Sequence, residues 1–455
     1  MRLDLDGRHG LSFGCDEDWA IRAHPNGVES AKKQAFFDSM DWSLFGALAD
    51  SSVGHSVERI EAMLCLTAFH DIMKVTELTP VVAAEHAPYH RCVAGDIIND
   101  HDLALAYVLE KYPDLLPSFS ILPESSRELV LFTQAKMTFN HGWFVQAEGT
   151  PGAMLSPLKC VLGRAASEDL AFYFFHWCTD LSGAEGAPLA GAEKLVVKFP
   201  ISVLVSFLWS IPHLQRLVDS SETEVVERYL EARFRLSLPH EELPTGRHAL
   251  AQMRLVVMAQ RGAQSVLDAF RAAPEVVQAI LGEEMALTGI DGQTFLKSPY
   301  EGGPAFLVYY GPALLQRCKS LEEMSQALLA LAAVYRAGRK LWRREGGHAG
   351  HTVTLQVSRL KALDMSNAVD GRASSDPSVW VLTRENEREA CLELLGAESI
   401  NALMEESRPC VCVDLKLAGE VSRREPSSAI LPPQEARQAA CAVQPESVNL
   451  LKATL

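Results

Sequence analysis

The chain has 455 residues, 48% of them hydrophobic and 22% charged, a balance that argues for an ordinary folded protein and against a disordered one. Its net charge of −16, from 42 basic and 58 acidic residues, argues against a nucleic-acid surface, because phosphate backbones call for concentrated Lys and Arg. Ten Cys without disulfide or zinc-knuckle spacing read as reduced thiols, and the charged start Met1-Arg2-Leu3-Asp4 is no signal peptide, so the expectation is a cytoplasmic protein.

Residues 1–35 show no sustained period and read as an irregular segment. From 36 to 235, apolar residues recur at three- and four-residue spacing. The pattern predicts helices at 57–73, 99–111, 124–139, 167–181, 199–219 and 221–236, with joints at Pro80, Pro88, Pro113, Pro117, Pro151 and Pro157. In the first of these, Ile60, Met63, Leu64, Leu66 and Ala68 form the expected core face. The longest apolar stretch, Phe199 to Ile211, is about 13 residues against the ~20 of a membrane span, so it reads as a core helix and no membrane is expected. Ser221 with Glu222 and Glu224 reads as a helix start.

A helical extension follows over 236–345, with helices at 246–260, 263–272, 274–286 and 321–343 and a short strand or loop at Gly302–Pro312. The basic run from Arg336 to Arg344 reads as the solvated end of the last helix. Near Gly346 the composition changes, and 346–420 reads as a small mixed α/β appendage. Strands are expected at His351–Val357, Ser378–Leu382 and 409–416, and a helix at 384–395. On the last strand, Cys410 and Cys412 would face one side as buried small residues rather than ligands. Residues 421–455, rich in Ser, Pro, Glu and Gln, read as a loose tail. The fold class is thus mainly α with a small α/β appendage at the C-terminus.

The chemistry concentrates in the first helical region. Phe69-His70-Asp71-Ile72-Met73-Lys74 sets an imidazole beside a carboxylate at a helix end, where one ion off the end is reachable by both. Nitrogen plus carboxylate oxygen suits a first-row divalent metal. His176 and Asp180, four apart, share one helix face, and Asp180 could close the same site, since an Asp among Phe172, Phe174, Phe175 and Trp177 needs a partner. His176 itself reads as a core histidine. Lys74 is either a phosphate contact or a charged helix end, and His101 either a site contact or a surface histidine. Asn99 or Asp100 would cap the helix that His101 opens. His141 reads as a functional side chain beside a turn or as a histidine at a helix C-terminus. No Gly-rich phosphate loop follows a strand and no Gly-x-Ser-x-Gly elbow occurs, which argues against P-loop, Rossmann and Ser-centred enzymes.

His70-Asp71 with Lys74, then His101, His141 and Asp180, resembles the HD superfamily of metal-dependent phosphohydrolases over roughly residues 36–235. Locally the wording is similar to cyclic nucleotide phosphodiesterases. Their His-x-x-Asp-Leu-Ser motif is like His176-Trp177-Cys178-Thr179-Asp180-Leu181-Ser182 with one residue added, and their His-His-Leu-Ala like His101-Asp102-Leu103-Ala104. The resemblance implies an HD-type helical domain and a divalent transition metal (Mn, Fe, Zn, Co or Ni) held by His70, Asp71 and Asp180. It further implies Lys74, His101 and His141 in catalytic roles on a small anionic phosphoester or nucleotide. The family also carries an upstream metal-binding His, whereas this chain has no His between His24 and His55. Gln34, Asp38 and Asp41 are the polar residues near that position. A catalytically silent HD-like scaffold and an HD-type di-iron oxygenase are the alternatives, and self-association or a protein partner stays open.

Overall fold

The computed structural model describes Phe36 and residues 38–134, 139–163, 165–183, 201–344, 350–362, 379–406 and 408–414. The expected irregular segment 1–35, with His24 and Gln34, and the expected tail 421–455 lie outside the described residues. What is described is mostly helical, with one small sheet toward the C-terminus. It divides into two compact units, one holding the chain up to Thr138 together with Leu158–Ser220, the other Phe139–Pro157 and everything from Ser221 onward.

The first unit contains α1 (Trp42–Ser52), α2 (Val57–Phe69), α3 (His101–Lys111), α4 (Glu124–Gln134), α5 (Ser167–Gly183) and α6 (Ile201–Gln215). α5 is its centre, with α1, α2, α4 and α6 all packed on it. Side-chain caps fix three helix starts: Asp41 accepts from the Ser43 N–H at 3.0 Å, Ser56 from Arg59 at 3.2 Å, and Asp100 from Leu103 at 3.1 Å. The core gathers Ala62, Leu66 and Phe69 of α2 with Leu105 of α3, Val130 of α4 and Phe172 of α5.

That core corrects the expected face of α2. Met63 and Leu66 are buried, but Ile60 is 40% and Leu64 66% exposed, and Ala68 is exposed too. α2 carries two apolar stripes of nearly equal spacing on opposite sides, 60/64/68 and 62/66/69, and the one with the aromatic ring turns inward. The apolar stretch in α6 is also longer than expected. Ile201–Val218 forms an 18-residue window of mean hydropathy 1.3, long and apolar enough on length and composition to cross a membrane, with 39% of it buried. Within its unit, α6 packs on α1 and α5.

The second unit contains α7 (Glu222–Ser237), α8 (Ala249–Ala259), α9 (Ala263–Ala272), α10 (Glu275–Glu284), α11 (Leu321–Leu341), α12 (Ala397–Glu405) and five strands. Ser221 and Glu224 form a reciprocal capping box at the expected start of α7. All of α8 except Gln252 is buried. Inside it the fully buried Arg254 donates to the carbonyls of Ala147, Glu148, Gly149 and Met285 at 2.8–3.1 Å, which satisfies a charge that burial would otherwise make very costly.

The sheet runs β1 (Ala305–Tyr309), β2 (Thr352–Gln356), β4 (Glu389–Leu395), β3 (Val379–Asn386), β5 (Cys410–Cys412) in spatial order. β1, β2 and β4 are parallel, while β3 is antiparallel to both β4 and β5. Its first strand comes from well before the composition change at Gly346. α11 lies so close to it that a Cβ on Gly338 would stand 2.9 Å from the Leu355 side chain.

Three expectations fail here. The helix expected at 384–395 is the end of β3, a tight turn and β4, with Ala390 and Leu392 buried and Cys391 and Glu393 half-buried in strand alternation. Its Glu, Arg and Leu favour helix locally, but a slot between two strands outweighs that preference. The basic run 336–344 is solvated only in part, with Lys340 and Arg343 exposed. Arg339 forks onto the buried Glu284 at 2.9 and 2.5 Å and covers the Phe306 ring, and Trp342 is buried beside it. Cys412 is exposed and Cys410 half-buried, because β5 is an edge strand.

Candidate metal centre

α2 ends at Phe69, with the His70 N–H still bonded to the Leu66 carbonyl at 2.9 Å; Asp71 then leads into the tight 3-10 turn Ile72–Lys74. The change of winding lets two neighbours that would diverge by roughly 100° on a continuing helix serve one point beyond the end. Asp180 arrives from the last turn of α5, which packs on α2. His70 Nε2 stands 3.0 Å from Asp180 Oδ1 and 3.6 Å from Asp71 Oδ1. One ligand atom from each of the three lies within 4.8 Å of the others, so this cluster could hold a metal ion.

The hydrogen bonds sharpen that statement. His70 Nδ1 is 3.0 Å from the Thr67 carbonyl, which only accepts, so Nδ1 carries a hydrogen. Nε2 faces a carboxylate, which at neutral pH also only accepts. A cation, either a proton or a metal ion, must therefore lie between Nε2 and Asp180. Burial pushes the His70 pKa down, but the bond to Asp180 and the charges of Asp71 and Asp180 outweigh it and raise the value. Burial pushes Asp180 up, and the His70 bond and charge bring it below its ordinary value. Metal–ligand bonds of about 2.0–2.2 Å set neighbouring ligand atoms roughly 3–3.5 Å apart, close to the two His70 distances. One nitrogen and two carboxylate oxygens form a donor set for a first-row divalent ion, and a backbone carbonyl on the far ring nitrogen is the usual outer partner of a ligating His.

Around this triad, Lys74 Nζ is 2.6 Å from Asp71 Oδ1. His101 Nε2 is 4.0 Å from the same oxygen and 3.6 Å from Asp102 Oδ1, so the first residue of α3 borders the cluster. Asp100 rather than Asn99 is the cap that places it. His176 stands edge-on against the His70 ring at 5.1 Å, and burial, with the nearby His70, lowers its pKa to about 4. It is therefore a neutral ring packed against His70, half-buried rather than sealed in the core. Sequence reading passed over Thr67 and Thr179, whose hydroxyls meet at 3.3 Å and tie α2 to α5 beside the site. Their signal was positional, three residues before His70 and one before Asp180.

His141 belongs to the second unit, the three clustered residues to the first. It opens the short helix His141–Val145, capped by Asn140, rather than closing one, and burial pushes its pKa down to about 3. As for the upstream position, α1 packs along α5 without adding a ligand. Asp41 caps α1, Asp38 is exposed, and His55 precedes α2 by two residues; none of them joins the cluster. No protein-family model, no curated protein and no solved structure matches the chain.

Proposed function

We propose that the first unit carries an HD-type phosphohydrolase centre that acts on a small anionic phosphoester or nucleotide. The observation behind this reading is the convergence of His70 and Asp71 with Asp180, 110 residues further along the chain, on a point that demands a cation. A divalent transition metal (Mn, Fe, Zn, Co or Ni) held there would supply Lewis acidity, offsetting charge on phosphoryl oxygens and easing the deprotonation of water near neutral pH. His70 would bind through Nε2, its tautomer set by the Thr67 carbonyl. Asp71 and Asp180 would bind through carboxylate oxygens, and all three side chains keep some solvent access for a substrate. His101, 39% exposed at the start of α3, is the group in reach to pass a proton to a leaving oxygen.

A silent binding module is the second reading, favoured by the lack of a fourth ligand in the cluster among the described residues. Phosphomonoesters, phosphodiesters and nucleotides incubated with the manganese-loaded full chain separate the two. The phosphohydrolase reading expects product release that Asp180→Asn abolishes. A chain that binds the ion stoichiometrically and releases nothing from any of them is the silent module.

A further inference from the structure

Lys74 is 53% exposed and free to extend into water, yet its ammonium sits 2.6 Å from Asp71 Oδ1. The same Asp71 oxygen lies 3.6 Å from His70 Nε2 and 4.0 Å from His101 Nε2. The backbone enforces the pairing. The Lys74 N–H bonds the Asp71 carbonyl at 3.0 Å, and in such a 3-10 turn residues i and i+3 eclipse, which stacks the ammonium over the carboxylate.

We infer that Lys74 is a built-in competitor for the metal position. Its ammonium neutralises Asp71 in the metal-free centre, and a divalent ion reaches that oxygen only against the charge of a cation tethered one turn away. The inference rests on the reading of His70, Asp71 and Asp180 as ligands. Lys74 thereby weakens loading and keeps Asp71 from standing as a bare carboxylate. A unit charge about 4 Å from another is worth about 1 kcal/mol through water, a dication doubles that and physiological salt screens part of it, so removing the ammonium should tighten ion binding roughly tenfold.

Calorimetric titration of the full chain with Mn(II) tests this on four proteins: wild type, Lys74→Met, Lys74→Arg and, as a remote control, Lys111→Met at the far end of α3. Lys74→Met is expected to bind about tenfold more tightly, with Lys74→Arg and Lys111→Met close to wild type. The side chain is exposed, and unchanged circular dichroism checks that the fold survives. Wild-type binding that Lys74→Met leaves equal or weaker overturns the competitor role while keeping the metal site. No binding by any of the four, repeated with Fe, Zn, Co and Ni, overturns the metal site and the competitor together.

Discussion

His70 lies between two groups that only accept hydrogen bonds at neutral pH, the Thr67 carbonyl at 3.0 Å and the Asp180 carboxylate at 3.0 Å. One ring can satisfy both only with a cation on its outer nitrogen: a proton makes the pair an imidazolium–carboxylate ion pair, and a metal ion makes it a ligand set. The second unit contains a residue with the opposite electrostatics. Glu148 is buried, and burial raises its pKa to about 7 although the N–H groups of Tyr310 and Gly311 and the charge of Arg254 pull the other way. A pKa raised above the unfolded value means stability that is fully present below about 4.5 and is lost as pH rises through about 7. Glu148→Gln removes that loss. Between pH 4.5 and 8, urea unfolding should move in favour of the variant, relative to wild type, by roughly 3 kcal/mol. A difference between the two that stays constant over this range would show that Glu148 does not titrate there.

Helix ends place the site. α2 delivers His70 and Asp71 because it stops at Phe69, α5 delivers Asp180 from its last turn, and α3 delivers His101 because Asp100 caps it. Asp100→Ala should cost about 1 kcal/mol in unfolding experiments, as cap losses do, and should loosen His101 without removing the ion site. A variant as stable as wild type would mean that the cap does not hold α3. Most helices could be read from the sequence, because their apolar spacing agrees with their packing, as along α7 behind Ser221. The hairpin of β3 and β4 could not, since its residues prefer helix and only its neighbours in the sheet decide otherwise. With two nearly equivalent apolar stripes on α2, spacing put Ile60, Leu64 and Ala68 inward, and only packing against α4 and α5 turns the other stripe to the core.

The chain crosses between its two units at residues 139–157, which lie within the second while the segments on either side lie in the first. The joints at Pro151 and Pro157 fall in that stretch, but they do not show that the chain changes unit there. The reason for the crossing is tertiary: the carbonyls of Ala147, Glu148 and Gly149 are what the buried Arg254 needs. The candidate site was more legible than this division. The neighbours His70 and Asp71 and the i, i+4 pair His176 and Asp180 stood out, and three of these four form the triad. The contact of His176 with the His70 ring and the hold of Lys74 on Asp71 depend on how α2 unwinds, which spacing alone does not encode. Metal content tests the central claim most directly. The full chain and Asp180→Asn are each incubated with Mn, Fe, Zn, Co or Ni, freed of loose ion by gel filtration, and measured by elemental analysis. With at least one of these metals the wild type should hold about one ion per chain and Asp180→Asn about a tenth of that or less, with the same helical circular dichroism. Wild-type protein empty of every metal, or Asp180→Asn keeping its ion, would contradict a centre built by His70, Asp71 and Asp180.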